Sequence, residues 1–196
     1  MQQRAAVQRD TSVTYKVREF NFSRVEGISS EALQDHLTLY KGYVENTNRL
    51  LKEIEHEGGK DAEHRLAFEF NGMKLHELFF ETLGGPGSAM RTSGVLAEAM
   101  DISYGGTKGW RDRFLAVAST RGIGWVMSAR EVATNRLLTF WIDEHHFGLP
   151  ANLQPVILLD CWEHAYLKDF GVKGREEFVE TVLHNLNWSV IEKRCS

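Results

Sequence analysis

The apolar positions of this chain repeat with a helical period in its first half and a mixed one in its second. From Ser29 or Ser30, either of which suits a helix N-cap, to about residue 57, Leu33, His36, Tyr40, Tyr43 and Thr47 follow at three- and four-residue steps. That spacing is one stripe of a helix, and Gly58-Gly59 predicts its end. A second helix is predicted from about residue 62 to 83, with Leu66, Phe70, Met73, His76, Phe80 and Leu83 on one face and Gly84-Gly85-Pro86-Gly87 closing it. Two long helices joined by a short turn predict an antiparallel hairpin. Residues 1–28 show no sustained period, although Tyr15, Val17, Phe20 and Phe22 can pin an extended arm to the body, and the first ten residues are expected to fray.

The Gly-Gly-Pro-Gly-Ser stretch predicts a division into residues 1–88, an arm with an α-hairpin domain, and residues 89–196, a C-terminal α/β domain. In the second part, helical patterns near 94–100 and 108–119 precede two β-like runs at 124–128 and 137–142, parted by the turn residues Ala133-Thr134-Asn135. A third apolar run, 155–159, ends at Asp160, and the remainder reads as helix over 162–169, 175–185 and 189–193. Helices, then a small mostly antiparallel sheet, then helices again make an α+β chain and not an alternating βαβ one.

Composition narrows the function more than the fold. The chain has 196 residues, 42% apolar and 26% charged, close to the averages for folded soluble domains. Its net charge of −4 is spread over both signs with no dense Lys/Arg run, which argues against nucleic acid or an anionic membrane surface as partner. Met1 to Asp10 lack the apolar run of a secretory signal, and no stretch approaches the roughly 20 apolar residues needed to cross a bilayer, so a cytoplasmic location is expected. Cys161 and Cys195 are too few for a disulfide framework.

Four side chains carry candidate chemistry. Asp160 closes an apolar run and His164 follows one helical turn later, so both can point to one spot from a strand-to-helix junction. His36 and His76 each sit on the apolar stripe of a long helix, where a buried neutral imidazole must satisfy two nitrogens; a metal on one and a hydrogen bond on the other does so. Three imidazoles and one carboxylate suit iron, manganese or zinc. By pattern alone the bland alternatives stay open: a hydrogen-bonded core histidine, or an Asp-x-x-x-His pair that merely starts a helix.

The stretch Asp160-Cys161-Trp162-Glu163-His164-Ala165-Tyr166 closely resembles the D-x-W-E-H-A-Y signature of iron/manganese superoxide dismutases. Asn185-Leu186-Asn187-Trp188 resembles the family's N-x-N-W segment, Gly122-Ile123-Gly124-Trp125 its G-S-G-W, and Tyr43-Val44-Glu45-Asn46-Thr47-Asn48 its Y-V-x-N-x-N, all in the family's order. The resemblance implies a long N-terminal α-hairpin followed by an α/β domain with a small three-stranded antiparallel sheet. It further implies one iron or manganese ion per subunit, held by His36, His76, Asp160 and His164, in a homodimeric antioxidant enzyme for which tetramers are also open. Tyr43 matches the tyrosine of the substrate channel, Trp125 and Trp162 the aromatic walls of the pocket, and Arg175 the arginine at the channel mouth. Glu163 and Tyr166 match dimer-interface residues, Glu163 reaching the ligand histidine of the partner.

The chain departs from that pattern in four places, one of them the absence of the proline that usually follows the arginine matched by Arg175. His36 and Tyr43 are seven residues apart, one fewer than usual in the family, as expected if a one-residue helix bulge is lost. Tyr40 stands where a histidine is common and is expected to share the channel's hydrogen bonding. The glutamine that normally touches metal-bound solvent is absent: position 72 is Gly, and the alternative position falls in Asp143-Glu144-His145-His146, where His145 is the first choice and His146 the fallback. This resembles the part of the family that uses histidine there.

The implied reaction converts superoxide to oxygen and hydrogen peroxide by alternate reduction and oxidation of the ion, with His145 tuning the couple and Arg175 steering the anion. The ligand set does not choose between iron and manganese; iron is slightly preferred, with activity on both metals open. Two other readings are weighed beside it. One is an oxygen-activating or hydrolytic metal enzyme, which would keep more open coordination positions. The other is a non-catalytic, metal-stabilised dimeric scaffold of the same fold.

Overall fold

A computed structural model describes residues 14–57, 59–87 and 89–196, with the side chains of 56 and 57 excepted. The expected fraying of the first ten residues, and the Gly58 and Ser88 ends of the two glycine stretches, lie outside the described residues. Ser29 starts the first helix: its Oγ accepts from the Ala32 N–H at 3.1 Å, and its own N–H and Oγ–H both donate to Asp169, each at 2.7 Å. Helix α1 then runs Ser30–Glu57 as one unbroken α-helix, without the bulge whose loss the His36–Tyr43 spacing predicts. Helix α2 spans Lys60–Thr82 and packs along α1, burying the stripe that contains Leu33, Tyr40 and Val44 on one side and Met73, Phe79 and Phe80 on the other.

The arm is pinned as its aromatic residues predict. Asn48 pairs with the Tyr15 backbone, accepting its N–H and donating to its carbonyl at 2.8 Å each. The Phe20 and Phe22 rings lie 5.2 and 5.5 Å from Phe80. Val17, expected among these anchors, is 40% exposed and does not pin the arm, although it lies two residues from Tyr15.

After α2 come α3 (Val95–Tyr104), α4 (Thr107–Ala118), β1 (Gly124–Glu131), β2 (Arg136–Asp143), β3 (Gln154–Asp160), α5 (Glu163–Phe170), α6 (Arg175–His184) and α7 (Trp188–Cys195). The three strands form one antiparallel sheet in the order β2-β1-β3. The middle strand β1 is buried along six successive residues, which is why its sequence is apolar without alternation. In register, Trp125 of β1 stands opposite Asp160 of β3, so the candidate carboxylate and a large indole share the same end of the sheet. A Cβ at Gly124 would lie 2.1 Å from the Ile142 carbonyl oxygen, so only glycine lets β2 approach here. Helix α2 packs on β3 and α1 on α5, bringing both long helices against the segment that carries Asp160 and His164. No helix among the described residues is long and apolar enough to cross a membrane.

Candidate metal centre

One carboxylate oxygen draws in three imidazoles. Asp160 Oδ2 lies 3.0 Å from His36 Nε2, 3.1 Å from His164 Nε2 and 3.5 Å from His76 Nε2. The elements described above put them there: α1 and α2 each present one ring, β3 ends on the carboxylate, and α5 returns the third ring one turn later. The other oxygen, Oδ1, accepts the Trp162 N–H at 2.8 Å, which fixes the carboxylate plane. The four ligand atoms lie within 4.8 Å of one another. An ion with bonds of about 2.1 Å spans at most roughly 4.2 Å between opposite ligands, so small adjustments close the set around one metal.

The protonation pattern of His76 fits a cation at this point. Its Nδ1–H donates to the Gly72 carbonyl at 2.6 Å, which leaves Nε2 as a bare lone pair. That Nε2 is fully buried, has no hydrogen-bond partner among the described residues, and faces a carboxylate oxygen. Lone pair against carboxylate in a dry interior is unfavourable unless a positive charge sits between them. Burial holds the His36 and His76 pKa values below the ordinary imidazole range, against the pull of Asp160. For Asp160 burial alone would raise the pKa, but the His164 and His36 rings outweigh it and hold the carboxyl well below its usual range. Neutral imidazoles and an ionised carboxylate are the forms that ligate.

His145 is the fourth ring against this centre. It is fully buried, with its ring centroid 4.9 Å from Trp162 in a stacked arrangement, 4.6 Å from Phe68 and 5.9 Å from His76. The Trp125 indole Nε1–H donates to His145 Nδ1 at 2.9 Å. An indole only donates, so His145 carries its proton on Nε2 and gives it to the Tyr43 hydroxyl at 2.8 Å. Burial lowers the His145 pKa to about 4, consistent with a neutral ring. His146 is half-buried outside this hydrogen-bonded pair: its ring lies 4.0 Å from that of Phe147, itself 57% exposed, and 5.7 Å from that of Phe68, and its Nδ1 is buried without a partner among the described residues.

The remaining predicted residues divide. Tyr43 packs its ring 5.2 Å from His76, and burial, reinforced by the charges of Asp160 and Glu69, raises its phenol pKa. Trp125 lies edge-on to His76 at 4.9 Å, and Trp162 stacks on both His145 and His164. Tyr40 does not join the channel's hydrogen bonding as expected. Its hydroxyl accepts from the Arg18 N–H and donates to Glu77, each at 3.1 Å, because its ring is turned toward Phe20 and the arm. Arg175 donates from Nη1 to the Gly122 carbonyl at 2.9 Å and lies 5.1 Å over the Trp141 ring, while its buried Nε and Nη2 have no hydrogen-bond partner among the described residues. Glu163 is exposed on the first turn of α5, whereas Tyr166 is buried beside Phe178.

Phe68 is a contributor that the sequence does not reveal, and Gly72, marked in the sequence by the missing glutamine, has a steric role. Phe68 covers Tyr43, His145 and His146 with ring centroids at 6.2, 4.6 and 5.7 Å, from a position off the stripe that held His76 and about two helical turns before it. Gly72 supplies the space that Tyr43 fills, since a Cβ there would meet the tyrosine ring at 2.7 Å. Its place four residues before His76 was the available signal.

The model for iron/manganese superoxide dismutases, C-terminal domain, matches residues 92–194, more than half of the chain. The chain belongs to the iron/manganese superoxide dismutase family. Its relatives carry either metal in their names. The superoxide dismutase [Fe] of Aquifex aeolicus is 29% identical over 87% of this chain and 85% of its own length. The superoxide dismutase [Mn/Fe] of Aeropyrum pernix is 27% identical over 89% and 86%, and the superoxide dismutase [Mn] of Mycobacterium intracellulare 29% identical over 81% and 80%. The family membership agrees with the α+β architecture and its three-stranded antiparallel sheet.

Proposed function

We propose that this chain is a superoxide dismutase, an antioxidant oxidoreductase holding one iron or manganese ion with His36, His76, Asp160 and His164. When bound, the ion supplies a one-electron couple that can accept an electron from one superoxide and return it to a second, yielding oxygen and, with two protons, hydrogen peroxide. The observation that carries the reading is the buried, unpartnered Nε2 of His76, facing a carboxylate oxygen that two further imidazoles approach.

Around that point the chain's own groups have separate tasks. Asp160 offers the negative charge, and its Trp162 hydrogen bond keeps one oxygen aimed inward. His145 donates to Tyr43, so the tyrosine's own hydrogen is free to point toward an incoming anion or solvent. The raised Tyr43 pKa keeps that hydrogen in place at neutral pH. Trp125, Trp162 and Phe68 wall the pocket and limit water. Arg175 adds positive potential for a small anion on a protein whose net charge is negative.

The finer parts of the reading are iron as the preferred metal with manganese also accepted, a homodimer joined through Glu163 and Tyr166, and residence in the cytoplasm. Cys161 and Cys195, both buried and unpaired with each other, accord with the last. The division into residues 1–88 and 89–196 belongs here too, each part giving two of the four ligands. The test is to strip the protein, reload separate samples with iron and manganese, and measure superoxide turnover beside elemental analysis. Turnover with either metal is expected. Zinc as the sole metal retained, or stoichiometric iron and manganese without turnover, would leave only a metal-stabilised scaffold, because zinc cannot change valence.

A further inference from the structure

Two histidines stand side by side at the end of β2, and only one of them enters the site. His145 is fully buried between Trp125 and Tyr43, while His146 lies against the exposed Phe147. The backbone just before them is unusual. Among the described residues, those other than glycine with positive φ are Asn135, Asn152 and Glu144. Asparagine tolerates the left-handed region because its short amide bonds locally; glutamate gains nothing of the kind, yet Glu144 holds φ at 51°.

The surroundings over-determine that conformation. Asp143 and Phe147 exchange both backbone hydrogen bonds, at 3.0 and 3.2 Å, closing residues 143–147 into a tight turn. The Glu144 N–H donates to the Ile123 carbonyl at 3.2 Å. The Glu144 carbonyl accepts the Trp162 indole N–H at 3.3 Å, which ties the turn to the residue lying between Asp160 and His164 in contact with the centre. Both peptide groups flanking this residue are thus fixed from outside the turn, and the residue between them must take a left-handed φ. A right-handed or extended φ at 144 would rotate the following Cα–Cβ bond and carry the His145 ring away from Trp125.

We propose that Glu144 is a positioning residue whose left-handed backbone selects His145, and not His146, for the place between Trp125 and Tyr43. Its side chain plays no part in the chemistry; the conformation does. A backbone strain kept by three separate hydrogen-bonded attachments, next to a site, is the pattern expected when the strain serves the site. The proposal rests on the reading of His145 as the ring that sits beside the metal, and its structural outcome can be measured without that reading.

The experiment compares the metal-loaded full-length protein with Glu144→Gly, Glu144→Asn and Glu144→Val. Glycine and asparagine accept a left-handed φ, whereas a β-branched residue resists it most. Crystal structures of E144G and E144N should keep His145 Nδ1 and Nε2 within hydrogen-bond distance of Trp125 and Tyr43, with turnover near that of the parent and an unfolding midpoint equal or higher. E144V should lose both hydrogen bonds and about 10- to 100-fold in turnover, the range seen when groups behind a metal site are displaced. If E144V does not fold, E144A provides the same comparison in milder form. A His145 ring still bonded to Trp125 and Tyr43 in E144V, with φ at residue 144 turned negative, overturns the proposal. A displaced His145 with undiminished turnover would sustain the positioning role and instead remove His145 from the functional reading.

Discussion

Replacing Gly72 by alanine tests how tightly the tyrosine at the site is held. A Cβ at position 72 would sit 2.7 Å from Tyr43 Cδ1, 2.9 Å from Cε1 and 3.0 Å from Cγ. Ordinary carbon contact begins near 3.5 Å, so the ring must retreat by roughly 0.8 Å. The Tyr43–His145 hydrogen bond measures 2.8 Å, and a retreat of that size can stretch it to about 3.6 Å, beyond useful range. Two energies then oppose each other: overpacking costs about 1–3 kcal/mol, while alanine improves a helix interior by about 0.5–1 kcal/mol over glycine. The coupling separates them. Gly72→Ala, Tyr43→Ala and the double variant, unfolded in denaturant in metal-loaded form, should give an interaction energy of about 1–3 kcal/mol, because without the ring only the helix gain remains. Superoxide turnover of Gly72→Ala should fall with it. A coupling under about 0.5 kcal/mol, or an alanine variant whose Tyr43 still bonds His145, would refute the steric argument.

Four other outcomes follow from the same geometry. Burial holds His36 and His76 below the ordinary imidazole pKa of about 6.5, and their neighbours hold Asp160 below its usual value, so the folded chain binds fewer protons than the unfolded one in acid. Stability from these groups is therefore full above about pH 6.5 and falls below it, and both metal content and unfolding midpoint should drop between about pH 7.5 and about pH 4.5; an unchanged metal content would count against ligation by these imidazoles. His145→Ala should reduce turnover about 10- to 100-fold, whereas His146→Ala should stay within about twofold; equal losses would contradict the placement of the two rings. Glu163→Ala should shift sedimentation from dimer toward monomer and lower the unfolding midpoint in a manner that depends on protein concentration, and a parent protein that sediments as a monomer would dismiss the interface. Arg175→Ala should slow turnover chiefly at low salt, the deficit shrinking as the screening length falls to about 3 Å near 1 M salt; a salt-independent deficit would remove it from steering.

How much of this was readable from the residues depended on the kind of information each feature needs. The helices were legible because Leu33, His36 and Tyr40, like Met73, His76 and Phe80, repeat with the helical period, and both stripes are buried. The strands were recognised but drawn short. The predicted run at 124–128 becomes Gly124–Glu131, since Arg130 and Glu131 still pair across the sheet although their polar character reads as turn. All four candidate ligands converge, and the resemblance named them; periodicity alone could only say that two histidines would be buried. The partners of Tyr40 are not legible because position on a stripe says nothing of where a hydroxyl finds its partner, and the arm brings the Arg18 N–H to it from 22 residues away. Phe68 and the choice between His145 and His146 needed the third dimension: the first depends on how α2 lies against the turn, the second on one backbone angle.

His36 and Asp160 meet across 124 residues of chain. No partly synthesised polypeptide can assemble this set of donors, since the last of them, His164, emerges only after all three strands have been made. On the proposed reading, capture of the ion is a late event, contingent on a nearly finished tertiary structure, and a seated ion would tie the two long helices to the junction of β3 and α5. Which element is captured then reflects the supply present at the moment of closure as much as any preference of the donors, so cells grown on different trace metals should yield differently loaded protein from the same gene.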